Sequence, residues 1–168
     1  MVLFVFVLIL MRTTMDPLFP RWFRSCDVLL PIVVYLGQRR ALPEGLILTL
    51  FASHLYSLCS AAPIGVFTTN YLVIFIVARL LSYVIYANRS LSVLVLIFSL
   101  TLFSHISLAL IVAFFGHSWG VFTGGFAILW RALLNSGLGG LIYGGLVMMD
   151  RLSFKAPRIN IELSEGEL

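Results

Sequence analysis

Charge is scarce in this chain of 168 residues: 11% of it is Asp, Glu, Lys or Arg, against roughly 25% in a soluble domain. The scarcity is uneven. The stretch from Gly45 to Met149 holds only Arg79, Arg89 and Arg131 as charged side chains, none of them acidic, which excludes a water-facing surface for most of the chain. Cysteine is nearly missing as well, with Cys26 and Cys59 alone, so neither a disulfide framework nor a cysteine zinc site is encoded. His54, His105 and His117 fall on different segments with no carboxylate beside them, whereas a metal or proton-transfer centre needs a ligand pair at helical spacing or an acidic partner for the ring. Paired intramembrane aspartates, a Gly-x-Ser-x-Gly serine and an aspartate cluster able to hold magnesium are also missing. With them go the usual means of proteolysis, ester hydrolysis and phosphoryl transfer. The chain reads as non-enzymatic, without a cofactor.

Apolar length is what the sequence has in quantity, with 61% hydrophobic residues. A hydrocarbon core about 30 Å thick takes about 20 helical residues at 1.5 Å each. That ruler marks six segments, near 1–18, 27–38, 44–61, 64–87, 91–116 and 121–149. The expected fold is all-α and polytopic, a single transmembrane domain over 1–150 followed by a short cytoplasmic tail over 151–168. The first segment opens on "MVLFVFVLIL", with no basic stretch before it and no small-residue cleavage site after it, and reads as a retained anchor. The second, "DVLLPIVVYLG", covers only about half the bilayer core. Asp27 is placed to cap its start, and Pro31 falls in its first turns, where a missing N–H costs little. If this segment dips in and returns, the chain has five spans instead of six.

The net charge of +4 does not indicate nucleic acid, because the basic residues form no patch interleaved with aromatics. They sit at the ends of apolar runs, as topology signals do. Arg39 and Arg40, then Arg89, then Arg151, Lys155 and Arg158 mark alternate links and the tail, which puts the carboxyl end in the cytoplasm. Six spans leave Arg12, Arg21 and Arg24 on the opposite side, and five bring them in.

Polar residues within the segments are few enough to take singly. Arg79 lies eight residues from Tyr71 and nine from Asn88, a position near mid-bilayer that costs at least ~2.5–3.5 kcal/mol without compensation. Its partners are Ser82, Tyr83 and Tyr86 on one face together with backbone carbonyls of a broken neighbour, or else an anion or an acidic partner; Asp27 is the nearest acid. Arg131, with Asn135 at +4, is placed to snorkel. His105 shares a face with Thr101 and Ser104, a hydrogen-bonding seam between helices. Ser136, Gly140 and Gly144 recur every four residues, a spacing that admits another backbone, either from this chain or from a partner helix. The stretch "SHLYSLCSAAPIG" gathers Ser53, Ser57, Ser60, Ala61 and Ala62 before a turn at Pro63 and Gly65. It reads as a smooth helix-contact surface.

Residues 29–81, "LLPIVVYLGQRRALPEGLILTLFASHLYSLCSAAPIGVFTTNYLVIFIVARLL", resemble the MreD family of bacterial rod shape-determining membrane proteins. Asp27 with "VLLPIVVY" matches that family's acid-capped helix before a basic loop, and Ser60, Pro63 and Gly65 match its turn. Cys26 stands where proline is usual, Ser53 where glycine is, and Ser57 where the family often has aspartate. The resemblance implies a six-helix arrangement similar to the S components of energy-coupling-factor transporters. It also implies a place in the bacterial cytoplasmic membrane, in the machinery that elongates peptidoglycan. The implied partners are MreC directly, and MreB, RodA and a class B penicillin-binding protein in a larger complex. The S-component likeness supplies the alternative, a protein that captures a small molecule for uptake.

Overall fold

The computed structural model describes residues 26–60, 63, 65–84, 90–114 and 125–152. The expected first span and residues 153–168 of the expected tail lie outside them, while Arg151 and Leu152 belong to the last helix. The described residues are helical, with no strand among them: α1 (Leu29–Arg39), α2 (Leu42–Leu58), α3 (Val66–Val84), α4 (Ser90–Phe114) and α5 (Gly125–Leu152). Within α3, α4 and α5, the stretches Val66–Tyr83, Leu91–Phe114 and Gly125–Leu152 are each long and apolar enough to cross a membrane. With 17 residues, α2 is slightly shorter than the bilayer ruler, and α1 with 11 covers about half of it.

The short helix is the centre of the molecule. Its residues from Leu29 to Gly37 are all buried, the expected fate of a helix that is apolar on every side. It packs on α2, α3 and α5 and, over a shorter stretch, on α4. The longer helices pack in chain order around it, α2 on α3, α3 on α4 and α4 on α5. α1 is one continuous helix from the level of Asn135 to the level of Asp150, and α2 runs back alongside it.

Glycine permits the closest approaches. A Cβ on Gly37 would lie 3.1 Å from the Cβ of Ala78 and 3.2 Å from the carbonyl oxygen of Phe75, so α1 rests directly on the backbone of α3. One on Gly45 would lie 2.9 Å from the Phe75 ring and 3.1 Å from the Leu36 carbonyl. Such contacts are how helices gain dispersion energy where lipid supplies no hydrophobic drive. Between α2 and α3 the chain turns at Gly65, whose φ of 98° suits a residue without Cβ. There the Gly65 N–H donates to Ser57 Oγ at 3.4 Å and the Thr69 N–H to the Gly65 carbonyl at 2.8 Å.

Replacing Gly37 by leucine forces α1 off α3. We expect a loss of about 1–3 kcal/mol, as for other overpacked cores, read as a lowered thermal midpoint of the detergent-solubilised protein. An unchanged midpoint would show that the two helices do not touch there.

Candidate functional site

Because α1 is enclosed, the N–H groups at its start and the carbonyls at its end are largely cut off from water and need partners from the protein. At the start, Asp27 Oδ1 accepts from the N–H of Leu29 at 3.1 Å and of Leu30 at 3.3 Å. The Tyr71 hydroxyl donates to Asp27 Oδ2 at 2.7 Å, and the Asp27 N–H donates to Asn135 Oδ1 at 2.8 Å. One residue thus joins α1 to α3 and α5, with its negative charge at the positive end of the helix dipole. Tyr71 is held in turn by edge-to-face contact with Tyr56 of α2, at a ring separation of 5.9 Å; Tyr56 also meets Phe67 at 5.4 Å.

At the other end, Arg79 Nη1 donates to the carbonyls of Gly37 at 3.2 Å and Arg40 at 3.0 Å. Arg79 lies level with the last turn of α1, in the layer that holds Arg39, Arg40, Glu44 and Asp150. Asp27 is removed from it by the length of α1, roughly 16 Å, and does not pair with it. Of the polar residues expected beside Arg79, Tyr83 offers its ring, 5.7 Å from the guanidinium. The Ser82 hydroxyl donates to the Arg79 carbonyl at 2.6 Å. Tyr86 lies outside the described residues. An anion held by Arg79 would have to compete with two backbone carbonyls.

The same layer fastens α5 to the α1–α2 turn. Arg40 Nη2 pairs with Asp150 Oδ1, and the Tyr35 hydroxyl donates to Asp150 Oδ2. Arg39 Nε donates to the Tyr143 hydroxyl at 3.4 Å, which donates to Gln38 Oε1 at 2.9 Å. A further pair, Arg40 with Glu44 at 3.4 Å, lies at the surface, where such contacts contribute little.

Elsewhere the polar side chains serve packing. Asn70 Nδ2 donates to Ser104 Oγ at 3.0 Å in a buried link between α3 and α4. His105 Nδ1 and the Thr101 hydroxyl bond carbonyls of their own helix, those of Thr101 and Ile97, so the expected seam reduces to Ser104. Arg131 is half-buried, while Asn135 turns inward to Asp27. Ser53 and Ser57 are buried, and the Ser60 hydroxyl donates to the Ser57 carbonyl at 3.1 Å. That small-residue surface is used inside this protein; Ala61 and Ala62 lie outside the described residues. Among those residues no group of three or more His, Cys, Asp or Glu could hold a metal ion.

The small-residue row of α5 divides. The Ser136 hydroxyl donates to the Leu94 carbonyl at 2.9 Å, and a Cβ on Gly140 would lie 2.6 Å from Leu94 Cδ2, so both are spent on α4. Gly144 is not. A Cβ there, or on Gly137 or Gly145, would meet nothing within 4 Å, and Leu141 and Met148 beside them are exposed. Comparison with protein-family models, curated proteins and solved structures gives no match.

Tyr71, Asn135, Asn70 and Asp150 did not stand out as site residues in the sequence. Asn70 and Asn135 carried a usable signal, being the amides well inside long apolar segments, where each needs a partner.

Asp27→Ala should cost about 2–3 kcal/mol through the lost cap and the stranded tyrosine hydroxyl. Asp27→Asn and Tyr71→Phe should each cost about 1 kcal/mol, with thermal unfolding in detergent as the measure; equal effects for all three would refute the capping role. Arg79→Met should destabilise by about 1.5–3 kcal/mol and Arg79→Lys by less. A lysine variant as unstable as the methionine one would mean that the fork geometry, not the charge, matters at that end.

Proposed function

We propose that the chain is a non-enzymatic scaffold of the cell-wall elongation (rod) complex, acting as MreD-family proteins do and binding MreC through helix packing. In this reading the chain crosses the bacterial cytoplasmic membrane six times, with α1 and α2 as shortened passes and the carboxyl end in the cytoplasm. The overall arrangement is then similar to that of energy-coupling-factor S components. MreB, RodA and a class B penicillin-binding protein join through the larger complex.

The observation that carries this reading is the outer face of α5. Between lipid-facing helices association comes from close packing and interhelical hydrogen bonds, and small residues allow the approach. Gly137, Gly144 and Gly145 leave the α5 backbone open on that face, flanked by exposed Leu133, Leu141 and Met148. Further support comes from the interior, where Asp27, Arg79, Asn135 and Ser136 are engaged with α1, α3, α4 and α5. A small-molecule pocket would instead present converging polar groups toward a ligand.

Co-purification with MreC from native membranes in mild detergent tests the proposal. Gly144→Leu should lower the recovered MreC about tenfold, equivalent to about 1.4 kcal/mol, at an unchanged thermal midpoint. Gly140→Leu should instead destabilise the protein itself, since Leu94 blocks the space. Full MreC recovery with leucine at both Gly137 and Gly144 would reject the scaffold reading as stated.

A further inference from the structure

The layer at the carboxyl end of α1 carries more positive charge than its acids answer. Among the described residues it holds Arg39, Arg40, Arg79 and, next to Asp150, Arg151, against Glu44 and Asp150, and both acids lie on Arg40. Arg79 is spent on the carbonyls of Gly37 and Arg40. Arg39 is different. Its Nε donates to the Tyr143 hydroxyl at 3.4 Å, and that hydroxyl donates to Gln38 Oε1 at 2.9 Å. The guanidinium is thus fixed along one edge, while its Nη1 and Nη2 have no acceptor among the described residues. The residue is half-buried, and neither Nη is sealed off, whereas Gln38 Nε2 beside it is buried without a partner. This corner between α1 and α5 therefore holds nitrogen donors with nothing to receive them, on a cation without a counter-charge.

We propose that Arg39 binds the phosphate of an anionic phospholipid in the leaflet at this end of the bundle. A guanidinium held at Nε presents its outer pair of nitrogens as a flat fork, which matches two oxygens of a phosphate. A phosphodiester is the acceptor that a membrane supplies where apolar helices meet the headgroups, and basic recesses between transmembrane helices are where such headgroups are held. Charge agrees. A lipid of net negative charge answers the excess of the layer, while a zwitterion brings a cation of its own. Nor is the phosphate opposed by Glu44 or Asp150, since both are paired with Arg40. The surroundings favour a lipid over free phosphate. Leu42, close after Arg39 in the chain, and Met149, next to Asp150, are exposed apolar side chains at the same end, a surface that acyl chains cover and inorganic phosphate does not. The inference stands apart from the role in cell-wall elongation, since it needs only that α1 ends at the membrane surface.

Titration of the purified full chain in mild detergent, read by native mass spectrometry, tests it with dioleoyl phosphatidylglycerol, dioleoyl phosphatidylcholine and inorganic phosphate as probes. Phosphatidylglycerol should bind about tenfold tighter than phosphatidylcholine, and excess inorganic phosphate should not displace it. Arg39→Gln should weaken phosphatidylglycerol binding about twentyfold, against no more than about fivefold for Arg151→Gln, the effect of a surface cation acting at a distance. Arg39→Lys keeps the charge and loses the fork, so its binding should fall between that of the unaltered chain and Arg39→Gln; it carries the test where the glutamine variant does not fold. Equal binding of the two lipids, equal losses for Arg39→Gln and Arg151→Gln, undiminished binding by Arg39→Lys, or displacement by inorganic phosphate would each overturn the proposal.

Discussion

A helix enclosed by other helices keeps its terminal backbone groups out of water, and everything else here depends on how those groups at the two ends of α1 are met. At one end the Asp27 carboxylate takes two N–H groups, and at the other the Arg79 guanidinium takes two carbonyls. Each charge also has the sign that the helix dipole favours at its end. Without these two residues the centre of the bundle would hold several unsatisfied polar groups in a low-dielectric setting, each costly to leave unmade. With them, an eleven-residue helix about half as long as the bilayer core is thick becomes the one around which the four longer helices of the described residues pack.

The two caps also determine which helices are joined. Through Tyr71 and Asn135, the Asp27 end connects α1 to α3 and α5, and the aromatic contacts of Tyr56 bring in α2. Through Asp150 and Tyr143, the basic turn after α1 is bound to the last turns of α5. Packing between these points is close because Gly37, Gly45, Gly139 and Gly140 remove the side chains that would hold backbones apart. Polar groups therefore set the register, and glycines set the distance.

Much of this was legible in the sequence, and the reason is chemical. Apolar length against bilayer thickness located the helices to within a few residues: α4 was expected over 91–116 and runs Ser90–Phe114, and α5 over 121–149 and runs Gly125–Leu152. The Asp27 cap was legible because it is local, acting two and three residues away. Contacts over long separations were not. The Tyr71–Asp27 and Asn135–Asp27 bonds span 44 and 108 residues, and no spacing rule reaches so far. The carbonyls that meet Arg79 were beyond reach in the same way, since Gly37 and Arg40 lie 42 and 39 residues from it. The period-four row of α5 could not be divided either, since whether Gly140 or Gly144 faces a neighbour depends on where α4 lies.

The brevity of α1 bears on how the protein is made. Eleven residues ending at Arg39, with Arg40 next in the chain, offer the insertion machinery too little oil to be released into lipid as an independent unit. α1 can settle only once α3, with Arg79 and Tyr71, and α5, with Asn135 and Asp150, have emerged from the ribosome to receive it. Asn135 is translated 108 residues after Asp27, so the innermost helix waits for its surroundings until α5 is made.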